Sequence, residues 1–433
     1  MKQEIAKRIA GNIRMFRIER GMSQKKLADL LNLSQGNISQ WESGRVLPNG
    51  GTLASLARVL GVPLDRLTGI NDWLSEPRLA DHQDNPKPVQ VGSTPIMSVF
   101  RMLSDTTDGL DLSFRYTHDL RKPPRDFTDA YRNLARLAEQ RAQEGGYPHF
   151  NGPNTRLIRC SEENTRQLSD GSERKGIVLE LGPVSWEEHT VYNCFLDQAF
   201  PEFGGETIRS KFANEKRLYS EGADLRWCEL SNVLTVNIVL ISRDGYGLVQ
   251  RRSKRGVSAA AQKLTGGVCE NIHRFKDEAD PINPLKRLNP LEGSSGQRID
   301  YAYKPAGIPS PLLTAQRGVF EEVSPALYYE HVEGRAASTL VLGIIFDLLT
   351  FNPHVSGVIP LECSHDEILA YQRKQAGKDE SEAERFVMLP LDVSDPLTKQ
   401  YLSEPLDWVP AGLATFGFAT QYWQERQRHR HTK

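Results

Sequence analysis

The sequence predicts a multidomain protein: an all-α five-helix domain, then an α/β segment, then an α/β/α sandwich with a mixed sheet. Three observations predict it. The chain has 433 residues, enough for two or three domains of about 150 residues each, and its 39 % hydrophobic and 25 % charged composition is globular. Charge is spread unevenly: residues 1–70 carry 11 Lys/Arg against 5 Asp/Glu, residues 71–433 carry 43 against 50, and the whole chain sums to −1. Finally, apolar residues recur at helical spacing over the first 70 residues, whereas after residue 98 helix-like and strand-like runs alternate.

In chain order, Ile5, Ile9, Ile13 and Phe16 mark a first helix that stops before Gly21. Ser23 caps a second, QKKLADLL, and Ser34 caps a third, QGNISQWES, which ends at Gly44. Leu53, Leu56 and Leu60 mark a fourth, and a fifth starts near Pro63 with Leu64 and Leu67. Residues 71–97 contain four prolines and few apolar groups, which predicts an extended, flexible linker. Residues 98–230 read as an α/β connecting or dimerisation segment. It has a helix over DFTDAYRNLARLAEQRAQ, strands over TRLIRC and KGIVLELGPVSW, and a helix over WEEHTVYNCFLDQAF. Residues 231–427 read as a further domain. VLTVNIVLIS turns at Asp244-Gly245 into GLVQRRS, residues 274–309 are loop-like, and Ser310-Pro311 opens the helix PLLTAQRGVFEEVS. Two strands, LVLGIIFDLLTF and HVSGVIPL, and a terminal helix, WVPAGLATFGFATQYWQERQ, complete it.

Several function classes drop out. Five widely spaced cysteines without a C-x-x-C pair predict reduced thiols. The opening MKQEIAKRIAGNIR has no apolar signal core, and the longest apolar run, Leu340–Leu349, is far below about 20 residues and holds Asp347. The expectation is a cytoplasmic protein with no membrane span. The chain contains no H-E-x-x-H, no phosphate-cradling G-x-x-x-x-G-K and no G-x-G-x-x-G.

The +6 domain carries the clearest chemistry. A helix that enters the major groove needs a second helix braced across it through a tight turn. SQKKLADLL-NL-SQGNISQWESG supplies both: Leu27, Leu31, Leu33, Ile38 and Trp41 fall where they bury one side of each helix. Gln35, Gly36, Asn37, Ser39 and Gln40 then face outward on the early turns of the second helix, beside its cap Ser34. Gln and Asn donate and accept at once, which suits a base edge. Gln24 begins the bracing helix, where an N-terminus meets phosphate, and Lys25, Lys26 and Arg45 add charge. Residues 9–69 resemble the phage-repressor (Cro/C1-type, XRE) helix-turn-helix family through S-Q-x-x-L-A, I-S-x-W-E-x-G-R and L-x-x-L-A-x-x-L-G-V. The resemblance implies double-stranded operator DNA as partner and a homodimer on two-fold sites.

The C-terminal part, about residues 230–425, resembles a divergent Nudix hydrolase domain. In that family a strand and turn lead to Gly-Gly, a loop and a helix whose glutamates hold Mg²⁺ against a diphosphate. Here Gly266, Gly267 and Glu270 match the start of the motif, and Arg317, Glu321 and Glu322 match the helix. The resemblance implies ligand contacts from Gly266, Gly267, Glu270 and Arg317, and Mg²⁺ on Glu321 and Glu322. The departures are Gly318 in place of a metal-binding glutamate, His273 in place of the loop glutamate, and Ser324 in place of the closing glycine. In addition, 49 residues separate Gly267 from Arg317, far more than in the family. Arg317 is also four residues from Glu321, the spacing of a pair along one helix. Restoring the acid by Gly318→Glu is expected to recover activity if the pocket is otherwise intact. Together the two resemblances imply a sequence-specific transcriptional regulator whose C-terminal domain senses a nucleotide-type metabolite without efficient hydrolysis and has no catalytic residue. Two other readings stand beside it: an active Mg²⁺-dependent nucleotide diphosphate hydrolase with a DNA-binding arm, and an antitoxin-like or defence-associated repressor that binds a protein partner.

Overall fold

The protein is described from a computed structural model, which defines residues 2–20, 22–60, 62, 67, 88–91, 94–102, 109–118, 128–145, 152–167, 173–197, 205–213, 217–218, 223–252, 262–281, 283, 286–288, 307–335, 339–375 and 383–431. The chain divides into two compact units, Met1–Ala80 and Asp81–Lys433.

The first unit contains α1 (Lys2–Glu19), α2 (Gln24–Leu30), α3 (Gln35–Glu42) and α4 (Gly50–Leu60). Of the fifth predicted helix only Leu67 lies among the described residues; it is buried, and its carbonyl accepts from Asn12 Nδ2 at 3.3 Å. Ile9, Ile13, Phe16, Leu27, Ile38, Trp41, Leu56 and Leu60 close the core. Both helices of the turn motif start and stop for local reasons. Ser23 Oγ accepts from Lys26 N–H, and Ser34 Oγ from Asn37 N–H, at 3.1 and 3.3 Å. At the other ends the chain turns left-handed at Asn32 (φ 54°) and at Gly44 (φ 69°). The amides that follow close back onto the helices, Leu33 N–H to Ala28 O at 2.9 Å and Arg45 N–H to Gln40 O at 3.1 Å. Leu33 differs from expectation: it sits in the turn, where the reversal lifts it from the core, and is 39 % exposed.

The second unit runs β1 (Pro88–Val91), β2 (Thr94–Arg101), β3 (Leu112–Tyr116), α5 (Thr128–Gly145), β4 (Pro153–Gln167), β5 (Glu173–Ser185), α6 (Trp186–Phe195), α7 (Ile208–Phe212), β6 (Thr235–Ile241), β7 (Tyr246–Arg252), β8 (Leu264–Gly266), β9 (Val268–Asn271), β10 (Glu278–Ala279) and β11 (Ile308–Pro309). It continues with α8 (Pro311–Gly318), a π-helical turn (Val319–Val323), α9 (Pro325–His331), β12 (Leu340–Asp347), β13 (Asn352–Pro360), α10 (His365–Gln375), β14 (Ala383–Pro390), α11 (Pro396–Leu402) and α12 (Pro410–His431). Among the described residues the largest sheet has nine strands in the order β1-β2-β12-β13-β6-β7-β14, with β8 added to β7 and β9 to β6. It is mixed: β13 and β6 run parallel, whereas the other pairs are antiparallel. α12 packs on one face, against Val239, Ile241, Ile345 and Val358. On the other face the α8 segment joins Val236, Ile238, Leu240 and Phe346 in a second core.

Three sequence expectations change. Residues 88–91 and 94–97, expected within the linker, belong to β1 and β2. Their prolines stand on an edge hairpin, where a missing N–H costs no ladder bond, and Val89, Val91 and Ile96 are buried. The rest of the expected linker, 71–87, lies outside the described residues. The expected boundary at residue 230 does not separate two cores. Leu157, Leu179 and Tyr192 share one cluster with Val236 and Ile344, and β4 and β5 form a hairpin whose start bridges to the C-terminal sheet at Asn154–His273 and Arg156–Val233. Finally, the 274–309 insert is closed at its base, where β10 pairs antiparallel with β11. That is how 49 residues separate two parts of one site.

Candidate functional site

In the first unit the capping geometry presents the start of α3 outward. Ser34, Gln35, Gly36, Ser39 and Gln40 are exposed, as are Lys25, Lys26 and Arg45 around them. Asn37 is half-buried and also serves the helix end. Its Oδ1 accepts from Ser34 N–H at 3.2 Å and from Ser34 Oγ–H at 2.6 Å, completing the cap. Only its amide N–H₂ remains for a base. Gln24 is also engaged inside the domain, donating from Nε2 to Glu42 Oε2 at 2.9 Å. Glu42 in turn holds Arg17 of α1 through both carboxylate oxygens, and Arg17 Nη1 donates to Met22 O at 2.6 Å. Glu42 is a residue that sequence reasoning missed. Its side chain is 5 % exposed, so the end of α3 is fixed to α1 by a nearly dry ion pair. Burial alone would raise Glu42, yet hydrogen bonds from Arg17 and Gln24 outweigh it and hold the pKa below the ordinary carboxylate value. The only signal in sequence was a Glu and an Arg 25 residues apart.

Residues 13–67 match the helix-turn-helix family. The N-terminal unit is an XRE-type helix-turn-helix. Over 60 residues the chain is 42 % identical to multiprotein-bridging factor 1 of Eremothecium gossypii, a match over 14 % of this chain and 39 % of that protein. The chain thus spans about two fifths of the curated relative's length. Among solved structures it is similar to a hypothetical transcription factor, NHTF, from Neisseria, at 29 % identity over 16 % of this chain and 78 % of that one, with a TM-score of 0.15. It is also similar to the clp gene regulator ClgR of Corynebacterium glutamicum, at 24 % identity over 16 % of this chain and 74 % of that one, with a TM-score of 0.15.

In the second unit the residues of the second motif converge, but on each other. Arg317, 4 % exposed, uses all five N–H donors within the protein. Nε and Nη2 grip Asp277 at 2.8 and 3.1 Å, Nη1 donates to Glu270 at 3.1 Å and to Glu321 at 2.7 Å, and Nη2 donates to Asn271 O at 3.0 Å. The predicted Arg317–Glu321 pair is therefore formed, and no donor is left for a ligand. Lys276 Nζ covers the other oxygen of Glu321 at 3.1 Å, and Arg287 stands 4.0 Å from Asp277. Three cations thus balance three carboxylates. Burial opposes the charge on Asp277 and Glu321, but Arg317 overrides it and holds both below their ordinary values. Asp277 was missed because it lies in a segment read as loop; β10 and the buried turn before it bring it under α8.

Glu322 points elsewhere, accepting from Gln250 Nε2 and from Cys269 N–H. Its helix becomes a π-turn at Val319, closed by Ser324 N–H to Val319 O at 2.8 Å, which changes the register of both glutamates. The residues do not fit Mg²⁺. Glu321 is already neutralised by two cations, Glu322 faces an amide, and among the described residues no group of three His, Cys, Asp or Glu side chains is placed to hold a metal. Gly266 and Gly267 are buried and stand where a Cβ would meet the Ile238 and Leu248 carbonyls at 2.7 and 2.9 Å, so close strand packing explains both. Gly318 is the sharpest correction. A Cβ there would lie 2.1 Å from Val268 Cγ1, so a restored glutamate has no space. Ser310 occupies the N-cap position without a side-chain cap bond, and Pro311 follows at N1 as expected. His273 Nδ1 accepts from Phe275 and Lys276 amides and orders the turn that carries Asp277. Cys160, Cys269 and Cys363 are free thiols, and among the described residues no helix is long and apolar enough to cross a membrane.

Proposed function

We propose that this chain is a sequence-specific transcriptional regulator, with α3 as the helix that reads operator DNA in the major groove and α2 set across the backbone. The observation that carries the reading is the exposed polar start of α3, Gln35, Ser39 and Gln40, flanked by Lys25, Lys26 and Arg45 on a capped and braced helix pair. Gln35 is the base reader and Lys25 and Arg45 contact phosphate. The regulator acts as a homodimer on a two-fold site. Selection from a random double-stranded library tests this: it should enrich a palindromic motif with half-sites about one helical turn apart. Gln35→Ala should cost about 1–3 kcal/mol on that motif and relax one position, whereas Lys25→Ala should weaken all sequences alike and flatten the salt dependence. Enrichment of no motif, or a Gln35→Ala protein with full specificity, refutes the reading.

The second unit is proposed to be a Nudix-like sensor domain that responds to a nucleotide-type metabolite without hydrolysing it. Support comes from the ion cluster. The carboxylates that would hold Mg²⁺ against a diphosphate are spent on Arg317, Lys276 and Gln250, and Gly318 offers no place for another. A panel of nucleotide diphosphates with Mg²⁺ or Mn²⁺ should release little product. Brisk metal-dependent hydrolysis, abolished by Glu322→Gln, would make the chain an enzyme with a DNA-binding arm.

A further inference from the structure

The terminal helix outlasts the sheet it packs on. From Pro410 to Thr420 every residue of α12 is buried, and Tyr422 is the last buried one. Trp423 closes against Gly245 in the β6–β7 turn, at the end of the sheet, where a Cβ would lie 2.8 Å from Trp423 Cε2. The helix nonetheless runs on to His431. Residues 424–431, QERQRHRH, extend it by about 12 Å at 1.5 Å per residue, and none belongs to the apolar core. Propagation from a packed helix costs little, so length alone calls for no partner. The charge does.

Residues 426–433 hold four Lys/Arg and no Asp/Glu, whereas residues 71–425 hold 39 Lys/Arg against 50 Asp/Glu. Arg426, Arg428, His429 and Arg430 are exposed. Arg426, His429 and Arg430 share one face of the helix, three and four residues apart, and Arg428 stands on the opposite one. Arg426 leans back on the last packed turn: Nη1 donates to the Tyr422 hydroxyl oxygen at 2.5 Å, and the guanidinium lies 5.9 Å from the ring centroid. The helix dipole favours cations in the last turn, by about 0.3–1 kcal/mol each at low salt. That steadies the end of α12, but Arg426 lies about a turn and a half before it, outside the dipole's reach. A helix that lies on a membrane surface also needs an apolar face, and QERQRHRH has none.

We propose that the overhanging end of α12 is a second DNA contact, in which Arg426, Arg428 and Arg430 meet phosphates of the duplex flanking the operator. This rests on the regulator reading of the first unit. A body with an excess of carboxylates is repelled by the duplex, and a basic helix end that projects from it is where the backbone can be met. Contact with phosphate asks for charge and carries no sequence preference, which suits long, exposed side chains. Once α3 is bound, the second contact forms within one complex at a high effective concentration, so even a weak contact adds to the whole.

The test uses the full chain and two duplexes. One is the selected operator of about 20 base pairs, enough for two half-sites one helical turn apart; the other adds about 20 base pairs of unrelated sequence on each side. Binding is measured against salt concentration. Each phosphate contact adds about 0.9 to the slope of log K against log salt, so the parent should be steeper on the long duplex by about 2.7 per protomer for three arginines. Arg428→Gln with Arg430→Gln leaves Arg426 on Tyr422. It should reduce that difference by about 1.8 and weaken the long duplex about tenfold, with the short duplex changed less than about twofold. Damage to the fold would weaken both duplexes alike. Lys at both positions keeps the charge and should restore the parent slope, whereas Glu at both should bind the long duplex more weakly than Gln. If the long duplex gains no slope over the short one, if the Gln pair leaves it unchanged, or if Lys fails to restore it, the proposal is overturned while binding to the short duplex still supports the regulator reading. If the parent binds neither duplex, the regulator reading fails and this proposal with it.

Discussion

Removing the Glu42 carboxylate should loosen the helix-turn-helix far more than losing an ordinary glutamate at a helix end would. In Glu42→Ala the Arg17 guanidinium loses two hydrogen bonds and its counter-charge while staying packed at 12 % exposure, and Gln24 loses its acceptor. Breaking one side of a buried ion pair costs about 3–5 kcal/mol, because the remaining charge is left desolvated. A unit of 80 residues has a total stability of roughly 4–12 kcal/mol at 0.05–0.15 kcal/mol per residue, so a quarter or more would be lost. Hydrogen exchange of α1 and α3 amides in the full chain, read by mass spectrometry, measures it. Protection should fall about a hundredfold or more, at tenfold per 1.4 kcal/mol. Arg17→Met with Glu42→Leu should recover most of the loss, since an apolar pair leaves no charge uncompensated. The pair's contribution is complete above the ordinary carboxylate range and is lost as pH falls through Glu42's lowered pKa. Protection within fivefold of the parent in Glu42→Ala would refute the reasoning.

Other outcomes follow from the second unit. Gly318→Ala should lower stability by about 1–3 kcal/mol, because its Cβ would press on Val268 Cγ1, and Gly318→Glu should give no hydrolase activity; a folded, active Gly318→Glu protein would contradict the packing. Asp277→Ala, which strands the fully packed Arg317, should cost about 3–5 kcal/mol in chemical denaturation, more than Glu321→Ala, whose partners remain held by others. Burial, opposed by the amides of Leu349, Thr350 and Ala411, raises Asp347 from 3.8 to about 6, so the fold favours its protonated form. Stability from that preference is present below about pH 4 and lost as pH rises through about 6; Asp347→Asn should therefore raise the melting temperature at pH 8, by up to about 3 kcal/mol in stability at 1.36 kcal/mol per pKa step, and change little at pH 4.

The sequence alone determined whatever depends on a few adjacent residues. Ser23, Ser34, Asn32 and Gly44 set the ends of α2 and α3 through bonds spanning three to five positions, so the helix-turn-helix and its outward polar face were legible before any fold was known. The strands of β6, β7, β12 and β13 were legible from their apolar runs, and α12 from its length. The tertiary structure decided whatever depends on partners far apart in the chain. Prolines hid β1 and β2 until an edge position excused their missing donors. The cores on either side of residue 230 proved to be one, because a hairpin such as β4–β5 buries its apolar side only against another layer. Arg317 looked like a ligand contact because its partners Asp277 and Glu270 lie 40 and 47 residues away, across an insert that β10 and β11 close. Gly318 looked like a lost acid, when what matters there is the Val268 side chain against it. Charge and packing act through distance in space, and sequence separation carries almost none of that information.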